Sequence, residues 1–185
     1  MARIPFVTRD DVNESERGAY DAFVEMRGSR PTAGPYALLL HMPEVAQRLE
    51  SLRLYLRDET SLSQKLQEIV MLTVAREMDC AYIWQAHAAT AREVGVRGGI
   101  VDGLREKRAL TGLDPDEQTA VDFTRELLRN RKVSQATFDR ANTGFGRRGT
   151  LTLTNLIGCY ATLAYIMNTY ELEAPAHATE QALPV

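Results

Sequence analysis

The chain has 185 residues, 44% of them apolar and 25% charged, with a formal net charge of −3. That length and apolar content fit one folded domain, 1–185, able to bury a core. The acidic balance and the shortness of the basic runs (Arg129–Lys132, Arg147–Arg148) argue against a nucleic-acid partner. Two distant cysteines argue against a disulfide framework. With no apolar leader in MARIPFVTRDDV, they point to a reducing cytoplasm.

In chain order every predicted element is helical. Residues 10 to 27 form a first helix that stops near Gly28 and Pro31. Residues 36 to 57 give one or two helices, the second starting at Pro43. Ser63 caps a helix running to about Met78, and Asp79 is expected to cap the next, which ends at Gly95. A short helix covers about 98–107. Asp114-Pro115 opens another that reaches about Asn130. Ser134 begins one that ends near Gly144, and a long helix follows from about Thr150. No stretch alternates as a strand would, and there is no internal repeat. The ends, 1–9 and 173–185 with His177, read as flexible.

Leu151 to Tyr170 carries no formal charge and is about long enough to span a bilayer. It also holds Thr152, Thr154, Asn155, Thr162, Asn168 and Thr169, and Glu171 and Glu173 follow. The reading is therefore a central helix, buried in the core or against a second subunit, and no membrane partner.

Glu68, Cys80 and His87 stand out within QEIVMLTVAREMDCAYIWQAH. They bring a carboxylate, a thiol and an imidazole to two otherwise apolar helices. Met71, Leu72 and Ala75 share the side of Glu68, and Ile83, Trp84, Thr90, Ala91 and Val94 surround His87. Burying a carboxylate is costly unless it is paired or protonated. If the chain reverses at Asp79, Glu68 lies eleven residues back and His87 eight forward. The axial mismatch is then about 4.5 Å at 1.5 Å per residue, so a Glu68–His87 contact is expected. Cys80 and His87 are about 10 Å apart along one helix, too far for a direct pair. The first turn of that helix favours a Cys80 thiolate and Asp79 opposes it, which leaves the sign open.

The pattern Glu68–x11–Cys80–x6–His87 resembles the core motif of the alkylhydroperoxidase D and carboxymuconolactone decarboxylase superfamily. The segments 35–52 and 145–172 resemble the flanks of its decarboxylase-type members. The resemblance implies an all-α, alkylhydroperoxidase D-like helical fold with a helical-hairpin core. It also implies homo-oligomers (dimer, trimer or hexamer) with sites near subunit contacts, and neither metal nor organic cofactor. Peroxidatic members carry Cys-x-x-Cys, but here the second position is Ile83. Many others carry Glu-Trp-x-x-His there, and this chain keeps Trp84 and His87 without that acid.

Glu68, Cys80 and His87 are thus the candidate catalytic residues, and Trp84, Ile83, His41 and Tyr36 the candidate substrate-binding ones. Each has a plainer alternative. Glu68 would be a structural acid held by Arg76 or Arg92; His87 a hydrogen-bonded core histidine; Cys80 an inert core thiol. Trp84 would be core, and His41 a helix-end residue. Arg147 or Arg148 would attract a substrate carboxylate or face solvent. The leading functional reading is a cofactor-independent lyase or isomerase working by acid/base chemistry on a small carboxylated or carbonyl compound. The alternatives are a thiol-dependent peroxidase using Cys80 and a non-catalytic oligomer that binds a small ligand.

Overall fold

The computed structural model describes residues 2–174 and 178–185. Among these, all regular structure is helical. Two short 3-10 turns (Arg9–Asp11, Glu14–Glu16) lead into α1 (Arg17–Arg27), α2 (Gly34–Leu39), α3 (Pro43–Asp58) and α4 (Gln64–Glu77). Then come α5 (Ala81–Glu93), α6 (Gly98–Arg105), α7 (Pro115–Asn130) and α8 (Gln135–Thr169).

The boundaries follow local chemistry. Gly28 ends α1 with a left-handed φ of 76°. Pro43 sits in the first turn of α3, where its missing N–H costs nothing. The Ser63 hydroxyl accepts from Leu66 N and caps α4. Asp114 and Glu117 form a capping box at the start of α7, with Pro115 in its first turn. Gly146, at φ 68° and ψ 176°, kinks α8 between the two helical stretches that the sequence separates.

Asp79 does not cap α5. Its φ is 48°, and Cys80 N donates to Ala75 O at 2.8 Å, so Asp79 is the left-handed residue that closes α4. Cys80, extended at φ −93° and ψ 93°, is the residue that starts α5.

Helix α4 is the centre. Gln67 through Arg76 are buried without interruption, and α5, α7 and α8 pack around them. A helix apolar on most sides must be enclosed in this way. Helix α8 is long and apolar enough to cross a membrane by length and composition, and 56% of its most apolar window is buried among the described residues. Its Thr150, Thr154 and Thr162 hydroxyls bond the carbonyls four residues back, which satisfies them inside the helix.

Both ends are docked where they are described, against the expectation of loose termini. Arg3 bonds Tyr170 O and Thr169 O, and Val7 is buried. In the C-terminal segment Glu180 pairs with Arg92, Leu183 is buried, and Pro184 O accepts from Arg76. His177 lies outside the described residues.

Candidate active site

The α4–α5 hairpin brings Glu68 and His87 together as the axial arithmetic expects. Glu68 Oε2 meets His87 Nδ1 at 2.9 Å, with Glu68 fully buried. Glu68 Oε1 lies 3.1 Å from Arg57 Nη2, an ion pair without hydrogen-bond geometry. Arg57 is therefore the arginine that holds this acid. Arg76 and Arg92 are engaged elsewhere, with Asp79 and with Asp102 and Glu180 respectively. Arg57 also donates to the Tyr160 hydroxyl at 3.4 Å. The Tyr160 ring meets His87 edge-on, centroids 5.4 Å apart. The four side chains make a closed circuit of imidazole, carboxylate, guanidinium and phenol.

His87 and Tyr160 face a pocket of about 290 Å³, whose wall also includes Tyr36, Tyr82, Ile83, Arg27 and Arg53. No carboxylate lines it among the described residues, whereas two guanidinium groups do. Both are fixed from behind by Glu50. Its buried carboxylate takes Arg53 Nε at 2.6 Å and Nη2 at 2.9 Å, and pairs with Arg27. Burial pushes the Glu50 carboxyl up, but the hydrogen bonds and charge of Arg53, with Tyr36 and Arg27, outweigh it and hold the group below its ordinary value. Arg27 lies over the Tyr36 ring, 4.9 Å from its centroid. Burial, with Glu50 beside it, pushes the Tyr36 phenol up, and burial does the same to Tyr160. Both are protonated at neutral pH. The pocket is thus cationic, with phenol donors and an apolar remainder that includes Leu163 and Met167.

Two proposed substrate contacts fall away. The Trp84 indole donates to Gln181 O at 3.0 Å and is absent from the pocket wall. Ile83 and His87 are four residues apart and share a face of α5, while Trp84 is turned about 100° from Ile83. His41 is exposed, bonded to Pro5 O at 2.9 Å, and also lies away from the pocket. Its position between α2 and α3 turns it to the N-terminal segment. Tyr36 and Ile83 do line the pocket. Arg148 bonds the Tyr55 hydroxyl and Arg147 lines an apolar groove, so neither reaches the site.

Cys80 is fully buried and is not part of the pocket wall. Burial pushes its thiol up, and the N–H groups of Ile83 and Tyr82 offset this only in part. Asp79 is engaged by Arg76 and Lys107. Cys159 is likewise buried and pushed up to about 11, chiefly by burial. Both cysteines are free. Among the described residues no cluster of three or more His, Cys, Asp or Glu is placed to hold a metal.

Arg27, Arg53, Arg57 and Tyr160 are site residues that the sequence reading passed over. Glu50, Arg53 and Arg57 recur at spacings of three and four, which places them on one face of α3. That spacing was the available signal. Arg27 and Tyr160 carried none, because their approach depends on α1 and α8 crossing α3.

Residues 43–126 match the model of the carboxymuconolactone decarboxylase family. Among solved structures, the chain is similar to the alkylhydroperoxidase AhpD core of an uncharacterised peroxidase-related protein from Ralstonia eutropha JMP134. The identity is 15%, with 95% of this chain and 93% of that one covered, and the TM-score is 0.73. A peroxidase-related protein from Silicibacter sp. TM1040 matches at 17% identity, with 97% and 95% covered and a TM-score of 0.74. A Cys-to-Ala variant of the debrominase Bmp8, in complex with 2,3,4-tribromopyrrole, matches at 12% identity, with 94% and 91% covered and a TM-score of 0.70. No curated protein sequence matches the chain. The matched segment is thus similar to the carboxymuconolactone decarboxylase family, and the helical fold is the one seen in the alkylhydroperoxidase D-like structures.

Proposed function

We propose that this protein is a cofactor-independent acid/base enzyme, of lyase or isomerase type, acting on a small carboxylated carbonyl or lactone compound. The observation that carries the reading is the buried Glu68 holding His87 Nδ1 at 2.9 Å beside a pocket walled by Arg27 and Arg53. A carboxylate acceptor puts the imidazole hydrogen on Nδ1, which frees Nε2 to take or give a proton in the pocket. Arg53 spends Nε and Nη2 on Glu50 and keeps Nη1 for a substrate carboxylate. In a decarboxylation the bond to the carboxyl carbon breaks, and its electron pair stays on the substrate as an enolate. Carbon dioxide leaves, protonated His87 delivers a proton to carbon, and solvent restores the imidazolium. The Tyr160 phenol donates to the enolate oxygen.

The thiol route draws no support from Cys80, which is enclosed and pushed toward the thiol form. Proton NMR in deuterated water tests the acid/base reading with a panel of small keto acids and lactone carboxylates. Compounds that bind are expected to exchange or lose carbon dioxide, and His87→Ala is expected to slow this at least about 100-fold while binding persists. Wild-type rates in that variant, or binding with no exchange by the parent protein, would refute the reading.

We also propose that the chain self-associates. Leu151 and Tyr165 on α8 are 64% and 68% exposed, large apolar side chains open to solvent. A monomer by light scattering at micromolar concentration would sink this.

A further inference from the structure

A second recess, of about 360 Å³, lies where α4, α6 and α7 end, and it shares no lining residue with the pocket at His87. Five cationic side chains line it against two acids, Glu77 and Asp79. Each acid is bridged twice. Asp79 pairs with Arg76 and, at 3.4 Å, with Lys107; Glu77 takes two 2.6 Å bonds from Arg129 and lies 3.4 Å from Arg125. Arg108, the fifth cation, is held by Glu106 at 2.6 Å. Counting Glu106, the cations still exceed the acids by two.

The plain account is that these cations neutralise three helix C-termini, and Arg76 Nη1 does cap Arg105 O at 3.0 Å. That account is incomplete. Each helix end carries at most about half a negative charge. Two of the three ends are also closed by backbone bonds, Cys80 N to Ala75 O at 2.8 Å and Arg108 N to Gly103 O at 2.9 Å. A positive surplus therefore remains.

Donors also go unused. Arg76 is only 2% exposed, yet its Nε has no hydrogen-bond partner, and the buried Nε of Arg125 has only the 3.4 Å ion pair with Glu77. Asp79 and Lys107 both adopt left-handed backbone, φ 48° and 54°, where glycine is cheaper. At these two positions the chain instead keeps charged side chains that meet across the recess.

We propose that this recess binds a compact multivalent oxyanion of the phosphate or pyrophosphate type. Glu77 takes Nε and Nη2 of Arg129 and faces Nε of Arg125, which leaves Nη1 of Arg129 and both terminal nitrogens of Arg125 as donors; Lys107 supplies a mobile charge at the rim, and Arg76 sets the potential from below. Nothing in this assignment depends on the chemistry proposed for His87.

Titration calorimetry on the full chain tests it with sodium pyrophosphate, sodium phosphate and sodium acetate at low and high ionic strength. Saturable binding of pyrophosphate is expected, weaker binding of phosphate and none of acetate, with affinity falling as salt rises. Arg125→Gln is expected to weaken pyrophosphate at least about tenfold. Lys107→Gln/Arg108→Gln changes side chains that are 64% and 56% exposed, so folding is spared. It is expected to weaken pyrophosphate about threefold to tenfold. No saturable heat with the parent protein overturns the assignment. So does wild-type affinity in a folded variant, which would put the anion elsewhere, at Arg27 and Arg53 for example.

Discussion

Glu50 shows how one buried acid organises a site it does not enter. Its folded-state carboxyl lies below the ordinary value of 4.5, because Arg53 and Arg27 outweigh the upward push of burial. The unfolded chain therefore takes up the proton first. The stabilisation is complete above pH 4.5 and is lost as pH falls through the depressed folded value. Glu50→Gln is expected to flatten the dependence of stability on pH in this acid range, as read by urea melts between about pH 3 and 6. A variant as steep as the parent would remove Glu50 from that role. The thiols make a second residue-scale case. The sequence set a helix N-terminus against Asp79 and left the sign for Cys80 open, and burial decided it. Both cysteines of the native protein are expected to react with an aromatic disulfide reagent at pH 8 at least about tenfold more slowly than free thiol. Fast labelling of Cys80 would reopen the peroxidase reading.

Among the elements, the helix ends divide into two kinds. Gly28 closes α1 at φ 76°, as glycine does at little cost. Helices α4, α6 and α7 instead end on Asp79, Lys107 and Arg131, all left-handed. Asp79 and Lys107 border the basic recess, but Arg131 is exposed and lines neither pocket. Arg131→Gly is therefore expected to stabilise the protein by about 1 kcal/mol, since it relieves a left-handed φ of 58° with little lost contact. Thermal melts check it, and a lower Tm would mean that Arg131 has a partner role. The same chemistry explains the misplaced cap. Aspartate suits both an N-cap and a left-handed position. What separates them is the Cys80 N to Ala75 O bond, which depends on where α4 stops.

Across the whole molecule, segments distant in sequence complete the core. The C-terminal segment lays Leu183 into it, and supplies carbonyls to Trp84 and Arg76. The chain has one tryptophan, so its fluorescence reports this docking. Deleting residues 178–185 is expected to shift the Trp84 emission to longer wavelength. It should also cost at least about 2 kcal/mol, the usual effect of removing a buried leucine. An unchanged spectrum and melting curve would show that the segment contributes nothing.

The sequence by itself determined the helices, most of their ends, and the meeting of Glu68 with His87. The helix ends rest on local capping chemistry, and the contact rests on spacing within a hairpin, where rise per residue and a single reversal fix what comes together. Only the tertiary structure decided which arginine holds Glu68, which residues wall the pocket, and that Trp84 and His41 face elsewhere. It also decided that the described C-terminal segment is packed. Arg57, Arg27 and Tyr160 arrive from α3, α1 and α8, and how those helices cross is set by the packing of many side chains at once. The charge state of Cys80 followed the same logic, because desolvation is a property of the surrounding fold and not of the neighbours in the chain.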